Sequence, residues 1–219
     1  MSDDEPAIEA FWQSFRRHAP ALRRATSTRD PAYRLLSRDL RRIQPKLFLE
    51  FCASSDPAEL IVTADGERTL FKLVEQIVER APGIAGWKIF ALKPKIGFPR
   101  KTTWDGFEVR IGEVVFEPLL RDDDREFGIR MFVPGLQAAQ KSDAHNALLR
   151  AIDAGLGERR FAEEIQFTDV SGFPSGARRE EFLPLPDLDR YLDERKRGQQ
   201  EARPNAVGRR RKPGSPPQA

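Results

Sequence analysis

One stretch of the chain, residues 58–94, constrains the fold more than any other. An apolar segment leads through an Asp-Gly turn into an amphipathic helix, and a second apolar segment follows. Apolar side chains recur along the helical part every three or four residues: Leu70, Phe71, Leu73, Val74, Ile77, Val78 and Ala81. Charged side chains take the opposite side. The pattern predicts a helix with one buried face, placed between two strands.

The two segments that flank this helix, residues 60–62 and 87–92, are rich in β-branched and aromatic side chains and almost free of charge. Strands that are buried on both faces have this composition. We therefore expect the two segments to lie side by side as inner strands of a sheet. The apolar face of the intervening helix is expected to cover them.

The rest of the chain adds helices before this unit and mixed elements after it. Apolar stripes predict two N-terminal helices, the second starting at Asp30 and Pro31 and stopping before Pro45. Further strands are expected near residues 47–52, 107–111, 114–120, 126–133 and 165–168, with one helix after Ser142 and another around Leu188. These elements predict a single α+β domain over residues 1–194, with a mostly antiparallel sheet of six or seven strands and helices packed on it.

The net charge of +3 is unevenly distributed. Residues 195–219 contain eight basic residues and one acid, so they carry +7 and leave residues 1–194 at −4. This C-terminal segment has almost no apolar side chains, and we predict a disordered basic tail. The high isoelectric point therefore belongs to the tail and does not by itself indicate a nucleic-acid function.

A second basic stretch lies in the N-terminal helices. Residues 16–46 contain ten basic residues and only two acids, Asp30 and Asp39. This could be a face that binds phosphate or acidic groups. Alternatively, the arginine stems cover apolar surface and keep their charged ends in water.

Cysteine usage and the apolar runs bear on the compartment. Cys52 has no second cysteine to pair with, which agrees with a reducing environment. There is no apolar run of about 18 residues and no charged-then-apolar leader, so we expect a cytoplasmic protein. Cys52 is expected to act as a small hydrophobic residue, because neither histidine can be placed beside it.

Nothing in the sequence reaches the pattern of a catalytic, cofactor or metal site, and none is predicted. The acidic run at residues 122–124 lacks the ligand spacing of a calcium loop. Glu50 is a lone carboxylate in a predicted strand, expected to face solvent. Asp65 and Gly66 lie between a strand and a helix, where ligands collect and helix amides are free, so both are candidate binding residues. The other explanation is that the turn only needs a positive backbone angle.

Several stretches resemble one family: FWQSF, ELIVTADG, FKLVEQIVERAP, GWKIFALKPK and AIDAGLGERRFAEEIQF. Over roughly residues 8–192 the chain resembles uncharacterised bacterial cytoplasmic proteins, which sit in one loose class with polymorphic-toxin immunity proteins and small binding proteins. The usual Phe-Arg-Pro-Arg is replaced here by Leu92, Lys93, Pro94 and Lys95. The resemblance implies no established activity, and the charge retained there makes Lys93 and Lys95 candidate binding residues.

The preferred functional hypothesis is a non-enzymatic protein that binds another macromolecule, because no nucleophile and base are placed together. The mildly acidic body would suit a basic protein partner. The alternative is a nucleic-acid-associated protein that uses residues 16–46 and the tail. The candidate binding residues of the tail are Arg209, Arg210, Arg211 and Lys212.

A third hypothesis is a hydrolase or transferase built around two carboxylates, Glu50 and Asp65, and the loop at residues 94–103. It requires the two carboxylates to lie in one pocket. A separation above about 10 Å would remove it, because carboxylate pairs that share one reaction lie closer than that.

Overall fold

The computed structural model describes residues 5–121 and 126–201 of the chain. The helices of this part are α1 (Glu5–Leu22), α2 (Pro31–Ile43), α3 (Phe71–Glu79), α4 (Lys141–Leu156), α5 (Glu158–Glu164) and α6 (Leu188–Glu201). The strands are β1 (Phe48–Cys52), β2 (Ala58–Thr63), β3 (Trp87–Ala91), β4 (Lys101–Trp104), β5 (Phe107–Arg110), β6 (Val115–Arg121), β7 (Glu126–Val133), β8 (Phe167–Gly172) and β9 (Leu183–Pro184).

The strand-helix-strand unit of residues 58–94 forms as predicted. β2 and β3 are parallel neighbours, with Leu60 opposite Ile89, and the apolar face of α3 is buried through Phe71, Val74 and Ile77. β1 pairs with the other side of β2 in antiparallel register. β3 is consequently an edge strand, so the prediction that both apolar segments are inner strands is right for β2 and wrong for β3.

The α+β class is confirmed, but the single sheet of six or seven strands is wrong. Within the described residues the strands form three sheets, with the orders β1-β2-β3, β4-β5 and β8-β7-β6-β9. Most neighbouring strands are antiparallel, and β2-β3 and β7-β8 are parallel. The strands separate because the apolar side chains form two cores, and each larger sheet packs on its own helices.

The first core lies between α1, α2, α3 and one face of the three-stranded sheet. Its largest fully buried side chains include Phe11, Phe15, Leu36, Leu40, Leu60 and Ile77. Aspartate caps the start of α2 as predicted, since the Asp30 side chain accepts a hydrogen bond from the Ala32 amide at 2.8 Å. The second core lies between α4, α6 and the strands β5 to β8, around Phe116, Phe127, Met131, Leu148, Ile152 and Leu188.

The chain leaves the first sheet just after β3. Leu92 has a φ of 65°, which turns the backbone away from the sheet, and Pro94 has no N–H to continue a ladder. The amides of residues 96 and 97 then both donate to the Ala154 carbonyl at 2.9 Å, near the end of α4. The crossing segment therefore links the end of the first sheet to the end of α4.

The C-terminal boundary differs from the prediction. α6 continues to Glu201, beyond the predicted domain limit at residue 194, and the Arg195 guanidinium lies 4.4 Å from the centre of the Phe127 ring. The four tail cations at residues 209–212 and the acidic run at residues 122–124 lie outside the described residues. No helix of the described part is long and apolar enough to cross a membrane.

Candidate functional site

The Asp65-Gly66 turn closes the carboxyl end of β2, as the sequence predicts. Asp65 has a φ of 49° and Gly66 a φ of 84°, so the pair occupies the left-handed region that aspartate tolerates and glycine favours. The Asp65 amide donates to the Thr63 hydroxyl at 2.9 Å. The turn is thereby fixed locally, and the Gly66 amide points away from its own strand towards α5.

The side chain of Glu158, the first residue of α5, accepts a hydrogen bond from that amide. Its carboxylate is completely buried and accepts four hydrogen bonds. The donors to one oxygen are the amides of Ala64 at 3.1 Å and Gly66 at 3.0 Å. The donors to the other oxygen are the Thr63 hydroxyl at 2.6 Å and the Lys93 amide at 3.0 Å. One carboxylate from the second half of the chain thus satisfies the donors at the end of β2.

Gly157 allows this approach. Its φ of 80° lets α4 end and α5 begin at one residue, and a Cβ there would lie 3.0 Å from the Lys95 amide nitrogen and 3.3 Å from the Lys93 carbonyl oxygen. The Glu158 amide donates to the same Lys93 carbonyl at 3.0 Å. Residues 93 and 158 therefore exchange two hydrogen bonds, which hold the crossing segment against α5.

The Lys93 ammonium lies in a ring of carboxylates. It donates to Asp65 and to Asp153 at 2.8 Å each, and a Glu50 oxygen lies 3.6 Å away. Burial alone would lower the pKa of Lys93, but the hydrogen bonds and negative charges of its partners outweigh burial and raise the pKa above its ordinary value. Lys93 is therefore held in its protonated form at neutral pH.

Asp153 is the most deeply placed of the three carboxylates, with a side chain 21% exposed. Burial raises the pKa of Asp153, and its hydrogen bond with Lys93 counteracts part of this effect. The side chains of Glu50 and Asp65 are 53% and 65% exposed and face solvent. The solvent-facing position predicted for Glu50 is thus confirmed.

The condition set for two cooperating carboxylates is met, since Glu50 and Asp65 both contact the nitrogen of Lys93 and so lie well within 10 Å of each other. Of the predicted binding residues, the structure brings together Asp65, Gly66 and Lys93. Asp153 and Glu158 are not predicted from the sequence as site residues. Both lie in the AIDAGLGERRFAEEIQF stretch, one of those that carry the resemblance, and that stretch is the sequence signal that points to them.

Lys95 does not join this cluster. Its ammonium donates to Asp189 of α6 at 2.6 Å. Asp189 also accepts from Arg160 at 2.5 Å, and Arg160 in turn donates to Asp193 at 2.6 Å. Lys95 therefore takes part in a second network, which fastens α6 to α5.

An open cleft adjoins the cluster at the start of α3. Its volume is about 1080 Å³, and seven of its ten lining residues are charged: Asp65, Glu67, Arg68, Lys72, Glu75, Arg159 and Glu163. Arg159 of α5 crosses the cleft to bind Glu75 of α3, and it also binds Glu163 on its own helix. A neighbouring groove of about 510 Å³ shares these three residues and continues along α5 to Asp193 and Lys196.

Cys52 makes no hydrogen bond or ion pair with Lys93 or its three carboxylates; its side-chain partners are two serines. Cys52 is exposed, so its predicted role as a small hydrophobic residue is wrong. Side-chain hydrogen bonds with Ser54 and Ser55 lower the pKa of the Cys52 thiol. Among residues 5–121 and 126–201, no group of three or more histidine, cysteine, aspartate or glutamate side chains could hold a metal ion.

Comparisons of the chain with protein-family models, with curated proteins and with solved structures found no match. The resemblance of its motifs to a bacterial family stays a prediction. Three of the five stretches that carry the resemblance meet in space, since Asp65 comes from one, Lys93 from another, and Asp153 and Glu158 from a third.

Proposed function

We propose that the protein is a non-enzymatic binding protein whose partner is another protein. The observation that carries this proposal is that the buried charged groups of the cluster already have hydrogen-bond partners within the protein. Each charge of Lys93, Asp153 and Glu158 is met by a partner from the same cluster. A site of this kind holds two parts of a fold together, and its most buried charges are already satisfied by the protein itself.

The enzymatic hypothesis loses support for the same reason. A general base must be unprotonated near neutral pH, and a nucleophile needs a base beside it. Lys93 is held in its charged form, and the Thr63 hydroxyl donates to the buried carboxylate of Glu158. Glu50 and Asp65 therefore serve as counter-ions to a lysine.

The shape of the adjoining cleft also supports a macromolecular partner. Small-molecule pockets are concave, enclose most of their ligand and are lined mainly by apolar and aromatic side chains. The cleft beside α3 is open and carries charges of both signs along its length. Such a surface suits the polar rim of a protein interface.

Charge favours a basic partner. Residues 1–194 carry −4, and four of the ten basic residues within 16–46 form ion pairs with described residues. Arg23 lies near Asp56, Arg42 near Asp39 and Lys46 near Glu67. For these residues the pairings support the structural interpretation over a phosphate-binding one.

We also propose membership of the uncharacterised bacterial family that the motifs resemble, and a cytoplasmic location. Both proposals agree with a regulatory or immunity-type role, in which a folded acidic body binds a basic protein. A single exposed cysteine agrees with a reducing compartment.

Affinity capture with the full-length chain tests the proposed function. We expect nuclease-treated extract of the source cells to yield one protein in near-stoichiometric amount, which then binds the purified chain with a Kd of about 1 μM or below. A variant with glutamine at the four tail cations, residues 209–212, should bind equally well. Loss of capture after nuclease treatment or in the tail variant, with affinity falling steeply between about 50 and 200 mM salt, would support the nucleic-acid alternative and overturn the proposal.

A further inference from the structure

The two apolar cores divide the described residues into two halves. The buried members of the first core all precede residue 93, and those of the second core all lie beyond residue 108. Among the described half-buried apolar side chains, Ala162 alone comes from the second half and packs on the first core, and none from the first half packs on the second core. We call residues 5–92 the first lobe, and residues 93–121 with 126–201 the second lobe.

The carboxylate of Glu158 makes the most buried polar contact between the lobes. It belongs to the second lobe and accepts three hydrogen bonds from the end of β2 in the first lobe. The donors are the Thr63 hydroxyl and the amides of Ala64 and Gly66. Water can replace each of these partners when the groups become exposed, so the cost of breaking such bonds is far below their strength in isolation.

Two ion pairs join the lobes beside Glu158. Lys93 binds Asp65, and Arg159 binds Glu75. The Arg159 and Glu75 side chains are 44% and 46% exposed, and exposed ion pairs of this kind contribute little to stability. An interface between two cores that is largely polar permits relative motion, whereas a large apolar interface would fix the halves.

The backbone passes from one lobe to the other at a single residue, Leu92. Its side chain is buried in the first core, and its amide donates to the Val62 carbonyl of β2 at 2.8 Å. Both backbone groups of the next residue, Lys93, bond to Glu158 of the second lobe. The amides of residues 96 and 97 bond to Ala154 of α4. The segment 93–97 is therefore attached to the second lobe, and any pivot lies at Leu92.

The backbone of Leu92 is strained at this point. Among the described residues other than glycine, only Asp65, Leu92 and Asp105 have a positive φ, and the two aspartates lie in Asp-Gly turns. Leucine lacks the short polar side chain that makes the left-handed region acceptable for aspartate. Strain of this kind persists where the surrounding structure holds it, and it concentrates at positions that move or bind.

Two clefts follow the boundary between the lobes. The cleft of about 1080 Å³ and the groove of about 510 Å³ are each lined by residues of both lobes, and Glu75 and Arg159 belong to both linings. A change in the angle between the lobes would therefore change the width of both clefts. The ion pair between Glu75 and Arg159 lies where such a change would be resisted.

We infer that the protein is a two-lobed hinge in which the second lobe swings about Leu92, and that Glu158, Lys93 and Arg159 hold the closed form by binding the first lobe. In the open form the segment 93–97 stays on the second lobe and the end of β2 is uncovered. This inference concerns the chain alone and does not depend on the proposed function. A partner that contacts only one form would shift the balance between the two.

Native-state hydrogen exchange of the full-length wild type tests the pivot residue by residue. Opening at Leu92 removes the acceptor of the Ala64 and Gly66 amides, whereas the amides of Lys93 and Glu158 keep theirs within the second lobe. We expect the first two amides to share one protection factor, at least about tenfold lower than that of the other two. Equal protection of all four amides would overturn the inference.

Arg159→Gln distinguishes opening of the lobes from local fraying of β2. This variant removes an ion pair at the cleft without touching the β2 turn, so it should lower the protection of residues 64 and 66 together by about two- to fivefold. Arg178→Gln is the matched control, because Arg178 pairs with Glu181 inside the second lobe, and it should have no effect. If Arg159→Gln behaves like the control, the inference is wrong.

A distance measurement reports the motion itself. Cys52 is exposed on the first lobe and is the single cysteine of the chain, and Ser142 is exposed at the start of α4, so Ser142→Cys provides a second labelling site. With spin labels on both, the addition of Thr63→Val and Arg159→Gln should add a second population at a different distance, and Arg178→Gln should not. One unchanged distance in all these proteins would show that the lobes move as one body and would overturn the inference.

Discussion

Replacing the buried carboxylate of Glu158 by its isosteric amide should destabilise the protein strongly. In Glu158→Gln, one of the two oxygens becomes an NH₂ group, and each oxygen accepts two hydrogen bonds. Two of the four groups that donate to Glu158 would then face the NH₂ group of the glutamine, which is itself a donor. A buried donor without an acceptor costs about 1–3 kcal/mol, so the free energy of unfolding should fall by about 2–5 kcal/mol.

Urea denaturation followed by circular dichroism measures this difference, and thermal unfolding should show a decrease in Tm of roughly 5–15 °C. Glu163→Gln is the matched control on the same helix. Its carboxylate is 43% exposed and binds only Arg159 at the surface, so this variant should stay within about 1 kcal/mol of the wild type. If Glu158→Gln lowers the free energy of unfolding no more than Glu163→Gln does, the hydrogen bonds to Glu158 do not stabilise the fold and the reasoning is refuted.

Three other perturbations have definite expected outcomes. Because the pKa of Lys93 is raised on folding, its stabilising contribution is complete below its unfolded pKa near 10.5 and is lost as pH rises above that value. The difference in unfolding free energy between the wild type and Lys93→Met, measured by urea denaturation, should therefore shrink above this pH. A difference that stays constant would contradict the ion-pair assignment. Gly155→Ala should lower the free energy of unfolding by about 1–3 kcal/mol, because the new Cβ would lie 2.5 Å from the Phe98 ring. Gly198→Ala in α6, where nothing lies within 4 Å of a Cβ, should raise the free energy of unfolding by about 0.5–1 kcal/mol, and urea denaturation measures both differences. The thiol of Cys52 should react with Ellman's reagent in the native state, because it is exposed and hydrogen bonds with two serines lower its pKa; a reaction only after unfolding would show that it is buried.

Local features of the fold could be predicted from the sequence because their causes lie within a few residues. The three- and four-residue spacing in α3 defined its buried face, and aspartate before proline marked the start of α2. The left-handed turn after β2 followed from the freedom of Gly66 at a positive φ. The side-by-side placement of β2 and β3 followed from two apolar segments that flank a single helix, while their parallel direction was not predicted.

The division into two cores and three sheets could not be predicted in this way. An apolar strand carries the same alternating pattern whichever sheet it joins, so periodicity cannot distinguish one large sheet from several small ones. The choice was made where the chain leaves β3, through the left-handed backbone of Leu92 and the missing amide hydrogen of Pro94.

The sequence alone determined which residues of the cluster around Lys93 and Glu158 carry charge and where the glycines permit tight turns. Both depend only on the identity of each residue. The tertiary structure alone decided which charges meet. Lys93 takes its partners from positions 50, 65 and 153, and Glu158 takes its donors from residues 63, 64, 66 and 93. Electrostatic and hydrogen-bond energies depend on distances of a few ångströms in space, and these distances are set only when both cores have packed.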